Sequence, residues 1–477
     1  MPRKQPNVVV FFTDQQRWDC SSLHGNPLDL MPNFDRIARK GTHAANSFTC
    51  APVCGPARAC LQTGTYINRN GAVSNGYGLP DGLPTLAQCF HDAGYRTSYI
   101  GKWHLAGPDG HVHGHEFRSA VKEHARGGYR DWLAVEALEF SHHEYRTVLY
   151  DHGNNPVELP GYRVDACTDA GIRYIHEHRD EPFFLTMSLL EPHHQNDHDS
   201  YPAPTGYREQ YAGRWVPPDL AALPAWEWMQ GSKHPNAALM GGSTHHQLGG
   251  YFGMVKRLDE AFGRVMDALK SLDLEEDTIV LFTSDHGCHF KTRNGEYKRS
   301  CHDSSIRVPT LFTGPGFRGG GELEQMVSLV DLPPTLLDAA GIDLPETMQG
   351  RSILPLLRGE TDDWPEEALI QICDEKVGRA VRTGRWKYCV MSDQFSGQVG
   401  NDFSQVTYRE AFLYDLEHDP YELRNLIDLA SHTPVRERMR QRLIARMQAI
   451  GEAEPTIKQV EPKSSGQWEV YASEIDL

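Results

Sequence analysis

The stretch Asn7-Val-Val-Val-Phe-Phe-Thr13, closed by Asp14-Gln15, decides the fold. A continuous apolar run, as opposed to an alternating one, marks a strand buried on both faces, as in a parallel sheet covered by helices. Thr97–Ile100, Phe183–Leu189, Thr278–Thr283 and Pro309–Thr313 share this character. Helical patterns lie between them. Val255, Leu258, Phe262, Val265, Met266 and Leu269 keep a 3.6-residue spacing, and the segment from Pro84-Thr85-Leu86 to Gly94 starts with Pro and stops at Gly. Strands alternating with helices predict an α/β fold, a doubly wound and mostly parallel sheet with helices on both faces.

Beyond about residue 365 the pattern changes. Leu369–Cys373, Gly378–Arg382 and Arg385–Met391 read as short strands separated by turns, and Arg436–Ile450 as a late helix. A chain of 477 residues is too long for one ordinary compact core. The expected division is an α/β catalytic domain over 1–365 and a smaller C-terminal α+β domain with an antiparallel sheet over 366–477. Residues 190–250, rich in Pro, His and Trp without periodicity, read as a long irregular insertion. Gly316–Gly321 lacks the Lys-Ser/Thr of a phosphate-binding loop and reads as a turn.

Hydrophobic residues make up 39% and charged residues 23%, the composition of a soluble globular protein. A formal charge of −17 argues against nucleic acid and anionic membranes as partners, so an anionic substrate would need a local cluster of cations. The apolar run Val8–Phe12 is too short for a signal peptide or a membrane span, and the expected location is the cytoplasm. Ten cysteines form no dense disulfide framework and are expected to be mostly reduced.

In doubly wound sheets, ligands bind beyond the carboxyl ends of the strands. Four runs deliver polar groups there: Asp14-Gln15, Lys102-Trp103-His104, His193-His194 and Asp285-His286. Asp14, Gln15, Asp285 and His286 offer oxygen and imidazole ligands suited to calcium, magnesium or manganese, with zinc less favoured. Either Asp alone could equally cap the turn that follows it. Two strand-ending Asp residues, each followed by another potential ligand, favour a metal.

The remaining feature is Cys50-Ala-Pro-Val-Cys54-Gly-Pro-Ala-Arg58-Ala-Cys60-Leu-Gln-Thr63-Gly64. Cys54-x-Pro56-x-Arg58 followed by Thr63-Gly64 resembles the modification signature of the sulfatases, in the alkaline phosphatase superfamily, where the Cys becomes formylglycine (3-oxoalanine). Competing readings are a zinc knuckle of Cys50 and Cys54 completed by Cys288/His289 or Cys301/His302, a disulfide, or a buried structural Cys. The resemblance continues through Gly101-Lys102-Trp103-His104-Leu105, Pro192-His193, Ser284-Asp285-His286-Gly287, Lys298, Arg307-Val308-Pro309 and Leu413-Tyr414-Asp415-Leu416 to Asp419-Pro420.

What the resemblance implies is a sulfuric ester hydrolase acting on an aryl sulfate or sulfated carbohydrate. Cys54, matured by a formylglycine-generating enzyme, would supply the nucleophile. Asp14, Gln15, Asp285, His286 and residue 54 would hold one divalent ion, calcium first, with manganese or magnesium as alternatives. Arg58 would stabilise the charged hydrate, Lys102 and Lys298 would bind the sulfate group, and His104 and His193 would exchange protons. His194 or His198 would contact substrate, and a homo-oligomer is compatible with all of this. Many sulfatases carry a second Asp where Gln15 stands and an Asn where His286 stands. Both departures shift the balance from calcium toward manganese and bring in the related phosphonate monoester and phosphodiester hydrolases as a second reading. A third is a non-catalytic protein that binds metal and anions with Cys54 unmodified.

Overall fold

Every residue of the Asn7–Thr13 strand is buried, and its side chains divide between two cores. Val8, Val10 and Phe12 pack with Ala57, Leu61 and Leu86, whereas Val9 and Phe11 pack with Phe34, Val255 and Phe262. Successive strand residues point to opposite faces, so an unbroken apolar run is what a sheet covered on both sides requires. The computed structural model describes residues 5–112, 119–139, 143–196, 200–223, 244–400, 402–464 and 470, without the side chains of 244–246.

Among the described residues this strand lies in the middle of a ten-stranded sheet. Thr278–Ser284 flanks it on one side and Phe183–Ser188 on the other, followed by Arg96–Lys102 and Asp131–Val135, all parallel. The register keeps their carboxyl ends level: Thr13 lies opposite Ser284, Phe12 opposite Ser188, and Gly101 opposite Ser188. Gly101 has φ +111, and a Cβ there would stand 2.0 Å from Ser188 O, so only glycine lets the two strands approach at this point.

The Pro309–Thr313 run is corrected in direction. Its strand, Leu311–Thr313, runs antiparallel to Thr278–Ser284, because an apolar run reports burial on two faces and carries no information about polarity. The opposite edge, Arg146–Tyr150 and Pro156–Pro160, is also antiparallel. The helix over Thr244–Ser271 places Val255, Leu258, Phe262, Val265 and Leu269 in the core. The helix Leu86–Asp92 begins at Thr85, whose side chain and that of Gln88 form a reciprocal capping box. The 190–250 segment is less irregular than expected. It contains the short helices Tyr207–Tyr211 and Pro218–Ala222, too brief to show periodicity, and residues 197–199, His198 among them, and 224–243 lie outside the described residues.

A second sheet has the order Ala368–Ile372, Gly378–Arg382, Trp386–Met391, Thr407–Asp415 and Thr456–Lys458. The first four strands are antiparallel neighbours and the last pair is parallel. The helix Thr433–Ala449 buries Val435, Met439, Leu443 and Met447. This sheet buttresses the Cys54 region: Gln371 N–H donates to Cys50 O at 2.7 Å, and Ile67 N–H donates to Gln371 Oε1 at 2.8 Å. No described helix is long and apolar enough to cross a membrane.

Lys387, in this second sheet, is fully buried between the carboxylates of Asp303 and Glu422, and Asp303 N–H donates to Glu422 Oε2 at 2.7 Å. The triad ties the second sheet to the loop that carries Lys298. Lys387→Met would leave two carboxylates buried without their shared cation, and the expected loss is about 3–5 kcal/mol. A lower urea midpoint at unchanged slope would report it, and an unmoved midpoint would show that the triad contributes nothing.

Candidate active site

Cys54 opens the helix Cys54–Thr63, which starts after extended Val53, tolerates Pro56 in its first turn and ends at Gly64 in the left-handed conformation. Residues four apart share one helix face, which is why Cys54 and Arg58 look toward the same place. That place is the carboxyl edge of the central strands. Arg58 donates through Nη2 to Asp14 Oδ2 at 2.9 Å and Asp285 Oδ2 at 3.2 Å, and through Nη1 to Ser188 Oγ at 2.7 Å and Lys102 O at 2.9 Å. The guanidinium thus links four strand ends to the helix.

The thiol is enclosed. Cys54 Sγ lies 3.5 Å from Asp14 Oδ1 and 3.2 Å from His286 Nε2, and Lys298 Nζ donates to it at 2.8 Å. Asp14, Cys54, Asp285 and His286 offer ligand atoms that all lie within 4.8 Å of one another. Lys102 Nζ donates to Asp14 Oδ2 at 2.8 Å and to Glu139 Oε1 at 2.6 Å. Lys298 Nζ also approaches His193 Nε2 at 3.1 Å. Its loop is anchored beside the nucleophile, since Arg299 N–H donates to Pro52 O at 3.1 Å and its guanidinium pairs with Asp374 at 2.5 Å.

Burial and charge pull these groups apart. Burial would raise the Asp14 carboxyl, but Lys102, His193, Arg58 and Lys298 together hold it well below the usual range. Burial, and then Asp14 beside it, raise Asp285 to about 7. Burial followed by Asp14 also pushes the Cys54 thiol up to about 12, so it stays protonated near neutral pH despite its place at a helix N-terminus. Burial, then Lys298, lowers His193 and His286 well below the ordinary imidazole value, and burial, then Lys102, does the same to His104.

The residues fit a divalent cation on three observations. Two buried carboxylates side by side disfavour each other's charge, which a cation between them would relieve. His286 Nδ1–H donates to Gly287 O at 2.8 Å, which leaves the lone pair of Nε2 facing Cys54 and both aspartates. Gln15 Oε1 is buried without a hydrogen-bond partner among the described residues. Its backbone N–H donates to Asp285 Oδ1 at 3.0 Å, so the residue sits beside the cluster.

The structure brings together Asp14, Gln15, Cys54, Arg58, Lys102, His193, Asp285, His286 and Lys298 from six stretches of sequence. The carbonyl of His104 lies 3.4 Å from where a Cβ on Gly55 would stand, so that residue borders the nucleophile's turn. His194 stacks on Tyr297, ring centroids 4.6 Å apart, and its Nδ1 meets Asn196 Oδ1 at 3.3 Å. The zinc-knuckle reading is not realised. Cys50 joins no ligand cluster among the described residues, His302 Nε2 meets Tyr414 Oη at 3.0 Å, and all ten cysteines are free. Reading the sequence missed Glu139 and Ser188. Ser188 ends a recognised strand and was within reach of the strand-end rule, whereas Glu139 lies past the end of the short strand Asp131–Val135 and is one of two glutamates there, Glu136 and Glu139, that local pattern does not tell apart.

The family model described as Sulfatase matches residues 6–342, and that described as N-sulphoglucosamine sulphohydrolase, C-terminal, matches residues 295–449. The uncharacterized sulfatase YidJ of Escherichia coli (strain K12) is 30% identical over 487 residues, spanning 94% of this chain and 88% of that protein. A structure solved in complex with its substrate D-glucosamine-2-N,6-O-disulfate shares the fold at TM-score 0.77 and 21% identity, covering 94% of this chain and 99% of the other. The phosphonate monoester hydrolase of Agrobacterium radiobacter does so at TM-score 0.71 and 24% identity, covering 93% and 96%.

Proposed function

This chain belongs to the sulfatase family, enzymes that hydrolyse sulfate esters, and on that premise we propose that it cleaves a sulfate monoester with formylglycine, formed from Cys54, as its nucleophile. The observation that carries the reading is the setting of Cys54, with its thiol 2.8 Å from Lys298 Nζ, 3.2 Å from His286 Nε2 and 3.5 Å from Asp14 Oδ1. A thiol held protonated in such a place is a poor nucleophile, and a thiol that did attack would leave an adduct with no route to break down.

An aldehyde hydrate supplies that route. One of its hydroxyls attacks sulfur, the bond from sulfur to the leaving alcohol's oxygen breaks, and sulfate remains on residue 54. Loss of the proton from the second hydroxyl then re-forms the carbonyl, expels sulfate and restores the aldehyde. Lys102 and Lys298 neutralise the sulfate oxygens as charge moves toward the leaving atom, and Arg58 steadies the charged hydrate. His104 and His193 exchange protons with the hydrate and the leaving oxygen. His193 Nδ1 is committed to His194 O at 2.6 Å, so Nε2 is its working atom. Asp14, Gln15, Asp285 and His286, with an oxygen of the modified residue 54, would hold calcium, or manganese or magnesium in its stead, which would supply Lewis-acid activation there.

A sulfated saccharide is the favoured substrate class, supported by the neighbour solved with D-glucosamine-2-N,6-O-disulfate, with His194 among the residues meeting the sugar. Cys54 is 0% exposed, so its conversion by a formylglycine-generating enzyme precedes folding. Phosphonate monoester hydrolysis is the second reading, favoured by Gln15 in place of a further carboxylate and by the likeness to the Agrobacterium enzyme.

Turnover of an aryl sulfate compared with an aryl phosphonate monoester, alongside the mass of the peptide containing residue 54, tests the proposal. The sulfate is expected to be preferred and the peptide to have lost its sulfur. An active enzyme with an intact thiol would overturn the mechanism, and preference for the phosphonate would overturn the substrate assignment.

A further inference from the structure

The carboxamide of Gln15 is held from one side. Its Nε2 donates to Cys288 Sγ at 3.2 Å and, at longer range, to Tyr201 Oη at 3.5 Å, while Tyr201 Oη and Cys288 Sγ lie 3.4 Å apart. All three residues are fully buried. The backbone is clamped too: Gln15 has φ +67, its N–H donates to Asp285 Oδ1 at 3.0 Å, and its carbonyl accepts from Tyr251 Oη at 2.8 Å. Tyr201 is itself wedged among rings, with centroids 5.4 Å from Tyr251 and 5.3 Å from Phe290.

Oε1 at the other end of the amide has no hydrogen-bond partner among the described residues. A buried acceptor left in that state costs about 1–3 kcal/mol, so the arrangement calls for a group that satisfies it. A hard cation does so with a carboxamide oxygen and never with the NH2. Turned the other way, the amide would offer Oε1 to the phenol and thiol, and would present two protons to the cluster where a cation belongs. Orientation therefore decides whether Gln15 is a ligand or an obstacle. Unlike a carboxylate, which has an oxygen at either end, it cannot correct itself by rotation.

We infer that Cys288 and Tyr201 are positioning residues for the cation site: by accepting from Gln15 Nε2 they present Oε1 as its neutral ligand. The inference rests on the reading of Asp14, Gln15, Asp285 and His286 as a cation site. Outer partners that orient ligands typically matter at about the 10–100-fold level in metal affinity.

The test is Mn2+ binding to the metal-stripped full-length protein, followed by the signal of the free ion or by competition with a fluorescent chelator. Cys288→Ala is expected to weaken binding by about 10–100-fold and Tyr201→Phe by less, while Cys288→Ser, which keeps an acceptor, stays within a few-fold of wild type. In a Gln15→Ala background, Cys288→Ala should cost nothing further, because the thiol then has no amide to orient. Wild-type affinity in Cys288→Ala, or an equal loss in both backgrounds, would overturn the inference. Should Cys288→Ala not fold, the Tyr201→Phe and Gln15→Ala,Tyr201→Phe pair decides in the same way. Failure of the wild type itself to bind Mn2+ would instead overturn the cation reading, and this inference with it.

Discussion

Cys54→Ala is expected to fold as the wild type does and to lose turnover of an aryl sulfate by about 10⁴-fold or more. The variant removes one sulfur atom from a fully buried position at the first turn of the Cys54–Thr63 helix. Alanine is the best of helix formers, and the small void left behind should cost about 1 kcal/mol, visible as a modest shift in urea midpoint. Arg58 keeps its bonds to Asp14, Asp285, Ser188 and Lys102 O, so the strand ends stay linked. What disappears is the sulfur whose replacement by oxygen makes the aldehyde, so no hydrate can form at residue 54, and no neighbouring side chain can replace a nucleophile that also expels its own product. A rate near that of the wild type would end the mechanism.

Lys298→Ala should lower kcat by about 10²–10³-fold, the usual consequence of deleting one preorganised donor to developing charge. Its ammonium is the group nearest the nucleophile, and it also meets His193 Nε2 at 3.1 Å. The loop would hold its place without it, because Arg299 keeps Pro52 O and Asp374, and His289 and Asn294 each meet the carbonyl of Lys298 at 3.0 Å. The loss should therefore fall on kcat with the urea midpoint little changed. Lys298→Arg should recover only part of it, since a planar fork does not reproduce a point charge. Full activity in Lys298→Ala would remove this lysine from the sulfate site.

Local periodicity made much of this legible in the chain. Asn7–Thr13, Phe183–Ser188 and Thr278–Ser284 are unbroken apolar runs because helices cover both faces of the sheet, and burial on two faces leaves no room for alternation. The i, i+4 spacing of Cys54 and Arg58 places both on one helix face before anything is known of their surroundings. Strand-end residues such as Asp14 and Asp285 were legible for the same reason, as parallel strands of level register open on one edge.

Chain direction and partnership were not legible. Leu311–Thr313 runs opposite to its neighbour, and of the two glutamates beyond Asp131–Val135 only the packing shows that Glu139 is the one that meets Lys102. Nothing near residue 15 announces that Cys288 and Tyr201 will accept from its amide, 273 and 186 residues away. Backbone periodicity and helix spacing are properties of short segments, so residues alone determine which elements form and which chemistry reaches the sheet edge. Which oxygen faces which ammonium, and which end of an amide is left open, depends on where separate segments meet in space, and only the packed molecule decides it.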